Sequence, residues 1–275
     1  MCIRDRVSVG LNREDIYNLM NRKPTLPCGK LEIRNSRMLY TKNELNDMIR
    51  WGGDIGMFQI DRPINNIPLA DGTFIQGSCN KYKTSFCADT CYNLKLYRMY
   101  PNMAKRDIRC EMNWQKMGKH NTWQIAEHLY KKRKQTKRAR FMSRGEAIAN
   151  KQDVFRVKAL AEDTSDTNWW LPTRAWQSKY LRTLIEDELM TMDNVSVNAS
   201  FDPSNTHEEW DLMVNVHGWN VMFYGDDSPN AIPVGKRFAC PKTWKKLKGH
   251  CKVCKGGCFS STVINRQSIV HLSEH

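Results

Sequence analysis

Residues 139–176 read ARFMSRGEAIANKQDVFRVKALAEDTSDTNWWLPTRAW, and this stretch sets the fold class. Its middle, 153–162, carries Val154, Val157, Leu160 and Ala161 at the three-to-four spacing of an amphipathic helix. Short apolar runs at 140–142 and 169–171 flank it and read as strands. The pattern continues downstream. A second helical segment, 179–190, presents Leu181, Leu184, Ile185 and Leu189, and strands are expected at 195–199 and 221–224 with a shorter helix at 207–216. Strand follows strand at roughly 25–30 residues, the length of a βα unit. The expected fold is therefore α/β, a partial (βα) barrel of parallel strands over 73–235, with a small Cys-rich module appended at 236–275.

In such folds functional residues sit at the C-terminal ends of the strands. Those ends read Ser143-Arg144-Gly145-Glu146, then Pro172-Thr173-Arg174-Ala175-Trp176, then Ser200-Phe201-Asp202-Pro203. A short strand at 73–76 runs into Gly77-Ser78-Cys79 and adds a fourth polar cluster to the same rim. The plain alternative is that loops after strands are polar in any fold and that Gly145 makes a turn.

The chain has 275 residues, 40% apolar and 26% charged, enough to bury a sizeable core. Mean hydropathy is −0.65. A run of about 18 apolar residues is absent, which excludes a membrane-spanning segment, and no secretory signal is recognisable. Net charge is +14. Residues 131–140 hold seven basic residues and 236–255 hold eight, with no acid in either, so the rest of the chain nets −1.

Residues 1–6, Met-Cys-Ile-Arg-Asp-Arg, match the translation of ATG TGT ATA AGA GAC AG, the end sequence attached by tagmentation libraries. They are expected to be adapter, with Cys2 carrying no information; the alternative is a natural N-terminus. Residues 7–72 read as an irregular lead-in interrupted by Pro24, Pro27, Pro63 and Pro68, with a helix near 42–51 entered through a Thr41/Glu44 capping-box spacing. From Cys91 to about residue 130 the chain is expected to be mostly helical, broken at Pro101 and loosened near Gly118.

The ten cysteines are clustered. Cys79, Cys87 and Cys91 form C-x7-C-x3-C, and Cys240, Cys251, Cys254 and Cys258 form C-x10-C-x2-C-x3-C. Without a secretory signal such groups point to metal or cluster ligation, disulfides being the reading if a signal once preceded the chain. A closed zinc or iron–sulfur site takes four protein ligands, whereas three cysteines on a four-iron cluster leave one iron open to substrate or cofactor. Three plus four thus suggests one reactive and one closed site. Zinc remains open for both groups: His250 is a spare ligand at the second, and a distant His or Cys110 would complete the first.

The order and spacing of Cys79…Cys87-Ala-Asp-Thr-Cys91-Tyr92, Arg140-Phe-Met-Ser143-Arg-Gly145-Glu146, Trp170-Leu-Pro-Thr173-Arg174-Ala-Trp176, Asn194-Val-Ser-Val-Asn-Ala-Ser200-Phe-Asp202, Cys240-Pro241, Cys251-x2-Cys254-x3-Cys258 and Val270-His271 resemble the phage gene product 88 family. The similarity runs from Gly77 onward and implies a phage source and a place in the host cytoplasm, without a reaction. The layout also resembles that of radical S-adenosylmethionine enzymes. That resemblance implies a 4Fe-4S cluster on Cys79, Cys87 and Cys91 with S-adenosylmethionine on its open iron. It implies Tyr92 near the adenine, Gly145 and Glu146 at the methionyl amine, and Arg174 at the carboxylate, for which a guanidinium offers a bidentate pair. Ser200 or Asp202 would meet ribose or substrate, and Cys240, Cys251, Cys254 and Cys258 would hold an auxiliary cluster. This chain departs from the pattern: the superfamily spacing is C-x3-C-x2-C, and Arg144 stands where a second glycine is expected.

The basic run around the second cysteine group has two readings. Its lysines balance thiolate charge, or with Trp244 and Phe259 they form a phosphate-tracking, base-stacking surface for nucleic acid. Residues 131–140 read as a solvated helix end that adds phosphate contacts. A zinc- or cluster-stabilised protein that binds nucleic acid without catalysis is thus the alternative function. Other features carry less. His120 and His128 lie two helical turns apart, too far to share a metal. The sequons at Asn194 and Asn198 fall on an expected buried strand, and Trp169 and Trp170 read as wall residues of the sheet.

Overall fold

A computed structural model describes residues 39–69, 71–132, 136–225, 237–244, 248–259 and 269–272. The expected adapter, the lead-in through residue 38, and residues 133–135, 236 and 245–247 of the basic runs lie outside the described residues. The described strands are β1 (Arg50–Gly52), β2 (Met57–Gln59), β3 (Ile67–Pro68), β4 (Phe74–Ile75), β5 (Arg138–Arg140), β6 (Asn168–Thr173), β7 (Val195–Phe201), β8 (Asn220–Tyr224), β9 (Arg237–Ala239) and β10 (Ile269–Leu272). Eight of them make one sheet in the order β1-β2-β5-β6-β7-β8-β10-β9. Every neighbouring pair is parallel except the β1–β2 hairpin. The α/β fold with parallel strands is what the sequence pattern calls for.

The described helices are α1 (Lys42–Met48), α2 (Ser85–Asp89), α3 (Tyr92–Met99), α4 (Pro101–Lys116), α5 (Thr122–Lys132), α6 (Lys151–Asp163), α7 (Lys179–Glu188), α8 (His207–Asp211) and α9 (Pro241–Trp244). Thr41 and Glu44 form the expected capping box on α1, each satisfying the other's backbone N–H. Pro101 opens α4, where a missing N–H costs nothing. The expected helix at 207–216 is real but changes form, with α8 passing into a π turn at Leu212–Val216.

Register divides the sheet into two faces. Ala139, Trp169, Leu171, Val195, Val197, Ala199, Phe201, Val221 and Phe223 share one face and bury against Val154, Val157 and Leu160 of α6 and Leu181 and Ile185 of α7. Phe141 stacks on Trp169 at 4.2 Å, and Trp176 on Phe201 at 4.6 Å. The opposite face carries Arg138, Arg140, Trp170, Pro172, Ser196, Asn198, Ser200, Asn220 and Met222. All seven residues of β7 are buried, as befits a parallel strand covered on both sides. Pro172 is tolerated inside β6 because the Trp170 carbonyl bonds Phe141 N on the β5 side; two residues on, β5 has ended and no ladder bond is lost.

Three expectations need correction. The helix near 42–51 stops at Met48: Gly52 and Gly53 disfavour helix, and Trp51 turns into β1, where it packs edge-on against Phe58 at 5.1 Å. The strand at 73–76 appears as β4, but it pairs with β3 in a separate hairpin around the Asp71-Gly72 turn, so β2 is the strand that precedes the Cys79 loop in the main sheet. The strand at 140–142 ends at Arg140, because Met142 adopts a left-handed φ of 56°. The sheet therefore begins before residue 73 and takes its last two strands, β9 and β10, from beyond residue 236.

Candidate metal centre

The Cys79 loop is stapled to the end of β2. Ser78 donates both its N–H and its hydroxyl to the Pro63 carbonyl at 2.8 Å, Cys79 N donates to Ile64 O, and the Ser78 hydroxyl accepts from Glu146 N at 2.8 Å. Gly145 makes that approach feasible. Its φ is +81°, and a Cβ there would lie 2.6 Å from both Arg62 O and Ser78 Oγ. Thr84 caps α2 by accepting from Cys87 N, and the same hydroxyl donates to Asp202 Oδ2 at 2.5 Å. Cys91 is the N-cap of α3.

Cys79, Cys87 and Cys91 are free thiols on the wall of one cavity of about 270 Å³, together with Gly145, Glu146, Arg174 and Ser200. Burial pushes the Cys79 thiol well up, and Glu146, Cys87 and Cys91 add to the effect against Arg174. Burial likewise raises Cys87 and Cys91, the latter opposed by the backbone N–H groups of Leu94 and Asn93. Thiols held this way ionise when a cation takes the proton's place.

Glu146 is fully committed within the protein. Its carboxylate accepts from Thr173 Oγ1 at 2.7 Å, Arg174 N at 2.8 Å and Ile148 N at 3.1 Å. Burial raises its pKa, against the pull of these donors. The carboxylate ties the residues after β5 to the end of β6. Arg174 is half committed. Nη2 donates to Asp202 Oδ2 at 2.5 Å, while Nη1 is buried without a hydrogen-bond partner, the state of a guanidinium prepared for an anionic group. Ser200 reaches the cavity wall, whereas Asp202 is buried, is not among the residues lining the cavity, and pairs with Arg174. Tyr92 opens α3; its side chain lies outside the described residues.

Arg144, which breaks the expected glycine pair, spends its guanidinium on buried ion pairs. Its guanidinium pairs with Asp61 at 2.8 Å and with Asp107 at 2.7 Å, both carboxylates buried, and Tyr97 donates to Asp107 at 2.6 Å. Beside it Arg62 grips Glu111 through two bonds and reaches Asp153 at 3.0 Å. These paired networks hold the ends of β2 and β5 against α4 and α6. Sequence reasoning missed them; acids and arginines packed into Ile60-Asp61-Arg62-Pro63, directly after an apolar strand, were the available signal.

The second cysteine group also converges. Cys258 is half-buried and its thiol is pushed well up by desolvation, with Cys240, Cys251 and Cys254 adding to the rise and Arg140 opposing it; Cys251 is pushed up to about 11. Gly249 N donates to Asp54 O and Cys251 N to Ile55 O, pinning the segment to the β1–β2 turn. Arg138 Nη1 donates to the carbonyls of Cys251 and Cys254, each at 2.6 Å. Gly256 N donates to Cys254 Sγ, and His250 Nδ1 is buried without a partner. Cys110 joins neither group: it sits on α4, with its thiol on Asp47 O at 3.0 Å. Among the described residues, no group of three or more His, Cys, Asp or Glu side chains has the arrangement for a single metal ion. Both donor sets consist of thiols, a ligand chemistry that suits iron–sulfur clusters as well as zinc. Among the described residues no helix is long and apolar enough to cross a membrane. No family model matches the chain, nor does any curated protein or solved structure.

Proposed function

We propose that the protein is a phage-encoded iron–sulfur protein of radical S-adenosylmethionine type, acting in the host cytoplasm on a substrate the cavity selects. The observation that carries the reading is the meeting, in one cavity, of three thiols from the Cys79 loop with the Gly145 strand end and Arg174. Cys79, Cys87 and Cys91 would hold a 4Fe-4S cluster, and Cys240, Cys251, Cys254 and Cys258 a second, closed one. When bound, the open cluster supplies one-electron cleavage of the sulfonium of S-adenosylmethionine. The chain's own part is positioning. The free Nη1 of Arg174 binds the carboxylate of the cofactor, Gly145 lets the backbone approach its amine, and Asp202 keeps the guanidinium aimed. Ser200 offers a hydroxyl to ribose or substrate.

Anaerobic purification followed by iron, sulfide and zinc analysis tests the reading. Brown protein is expected, with Cys79→Ala losing one cluster's iron and Cys258→Ala the other's. Reduction in the presence of S-adenosylmethionine should release 5′-deoxyadenosine. Colourless protein with stoichiometric zinc and no iron would overturn the proposal in favour of a zinc-stabilised protein, whose basic segments would then be assayed for nucleic-acid binding.

A further inference from the structure

The two cysteine groups share a wall. Arg140 and Met222, on the polar face of the sheet, line the cavity of Cys79, Cys87 and Cys91. Met222 also belongs to a small cluster with Met57 and Trp170, against which Cys251, Cys258 and Phe259 pack from the other group. Arg140 lies over the Trp170 ring at 4.5 Å from its centroid, and Trp170 in turn faces Phe259 at 6.3 Å. The 3-10 turn Gly257–Phe259, which carries Cys258, rests on β6, β7 and β10. A closed four-thiol site that served stability alone could sit anywhere on the surface; this one packs against Met222, a residue of the cavity wall.

Resting on the reading above, we infer that the two sites are electrostatically coupled through Arg140, whose single positive charge stabilises the reduced form of both clusters. Arg138 provides an internal contrast. It holds the Cys251 and Cys254 carbonyls and does not line the cavity. Coupling of this kind is reciprocal: a charge change at either site is felt at the other.

The experiment is a redox titration of the iron-loaded full chain, followed by electron paramagnetic resonance, on the unaltered protein and on Arg140→Met, Arg140→Lys and Arg138→Met. Removing the Arg140 charge should lower both midpoint potentials, each by about tenfold in the reduction equilibrium, or ~59 mV for a one-electron couple. Arg140→Lys should restore most of both, and Arg138→Met should move the C-terminal cluster alone. In the unaltered protein, full reduction should give a spectrum broadened by interaction between the two reduced clusters, which needs no variant to fold. Additive, non-interacting spectra, or potentials that Arg140→Met leaves in place, overturn the coupling while the iron content upholds the cluster reading. Iron in the cavity with zinc at the second site also overturns it, and protein without iron overturns both.

Discussion

Replacing Asp202 by Asn tests whether the cysteine loop is held from the far side of the sheet. Asp202 Oδ2 accepts from Thr84 Oγ1 and from Arg174 Nη2, each at 2.5 Å, while Oδ1 accepts from Ser204 N at 2.8 Å. The carboxylate is fully buried and the Arg174 side chain is 12% exposed, so little solvent replaces what is lost. Removing one partner of a buried charge pair costs about 3–5 kcal/mol, which for a domain of this size corresponds to a fall in Tm of about 6–20 °C. The double variant with Thr84→Val should be non-additive by about 0.5–3 kcal/mol, since both bonds end on one oxygen. Thermal melts followed by circular dichroism measure the first quantity and the double-mutant cycle the second. If the proposed cluster is held by Cys87, iron per chain should also drop, because Thr84 caps the helix that carries it. A variant that melts within 1 °C of the parent and keeps its iron would refute this anchoring role.

Further outcomes follow from the same geometry. Gly145→Ala places a methyl 2.6 Å from backbone and hydroxyl oxygens at a φ of +81°, and should cost at least about 1–3 kcal/mol in a denaturant titration. Trp169→Ala removes a fully buried ring stacked on Phe141 and should cost about 3–5 kcal/mol by the same assay. His128 is pushed down to about 4 by burial and by Lys132 and Lys131. Its folded value lies below its unfolded value, so the stability it contributes is present above about pH 6.5 and is lost as pH falls toward about 4. His128→Gln should flatten the stability profile across that window. Asp61 is pushed up by burial but held below the ordinary carboxylate range by Arg144, Arg106, Arg50 and Ser143, which outweigh it. The stability it contributes is thus present above about pH 4 and is lost below, and Asp61→Asn should remove that acid limb.

The helices and central strands were legible because each obeys a local rule. Val154, Val157 and Leu160 mark one stripe of α6, and β7 alternates Val195, Val197 and Ala199 with Ser196, Asn198 and Ser200, the period-two pattern of a strand. Cysteine spacing singled out Cys79, Cys87 and Cys91, which line one cavity. What escaped depends on distance along the chain. Arg144 finds Asp61 83 residues away and Asp107 37 away, and nothing local says that its guanidinium is spent there. β2 is three residues long, below the length at which alternation is readable, and it is recognised as a sheet member through its partner β5. Asp202 looked like a ligand because it ends a strand; its tie to Thr84, 118 residues away, is visible in three dimensions alone.

The placement of β10 gives the C-terminal cysteines a second duty. β9 and β10 are parallel neighbours, and such strands need a crossover of a dozen or more residues, ordinarily filled by a long helix. Here the described part of that crossover holds the four-residue α9 and two 3-10 turns, and it carries Cys240, Cys251, Cys254 and Cys258. The thiols stand where other α/β proteins put hydrophobic helix packing. A metal or cluster bound by them would act as the keystone of the crossover, so that stripping it would release β9 and β10 from the edge while β2 to β8 keep their order.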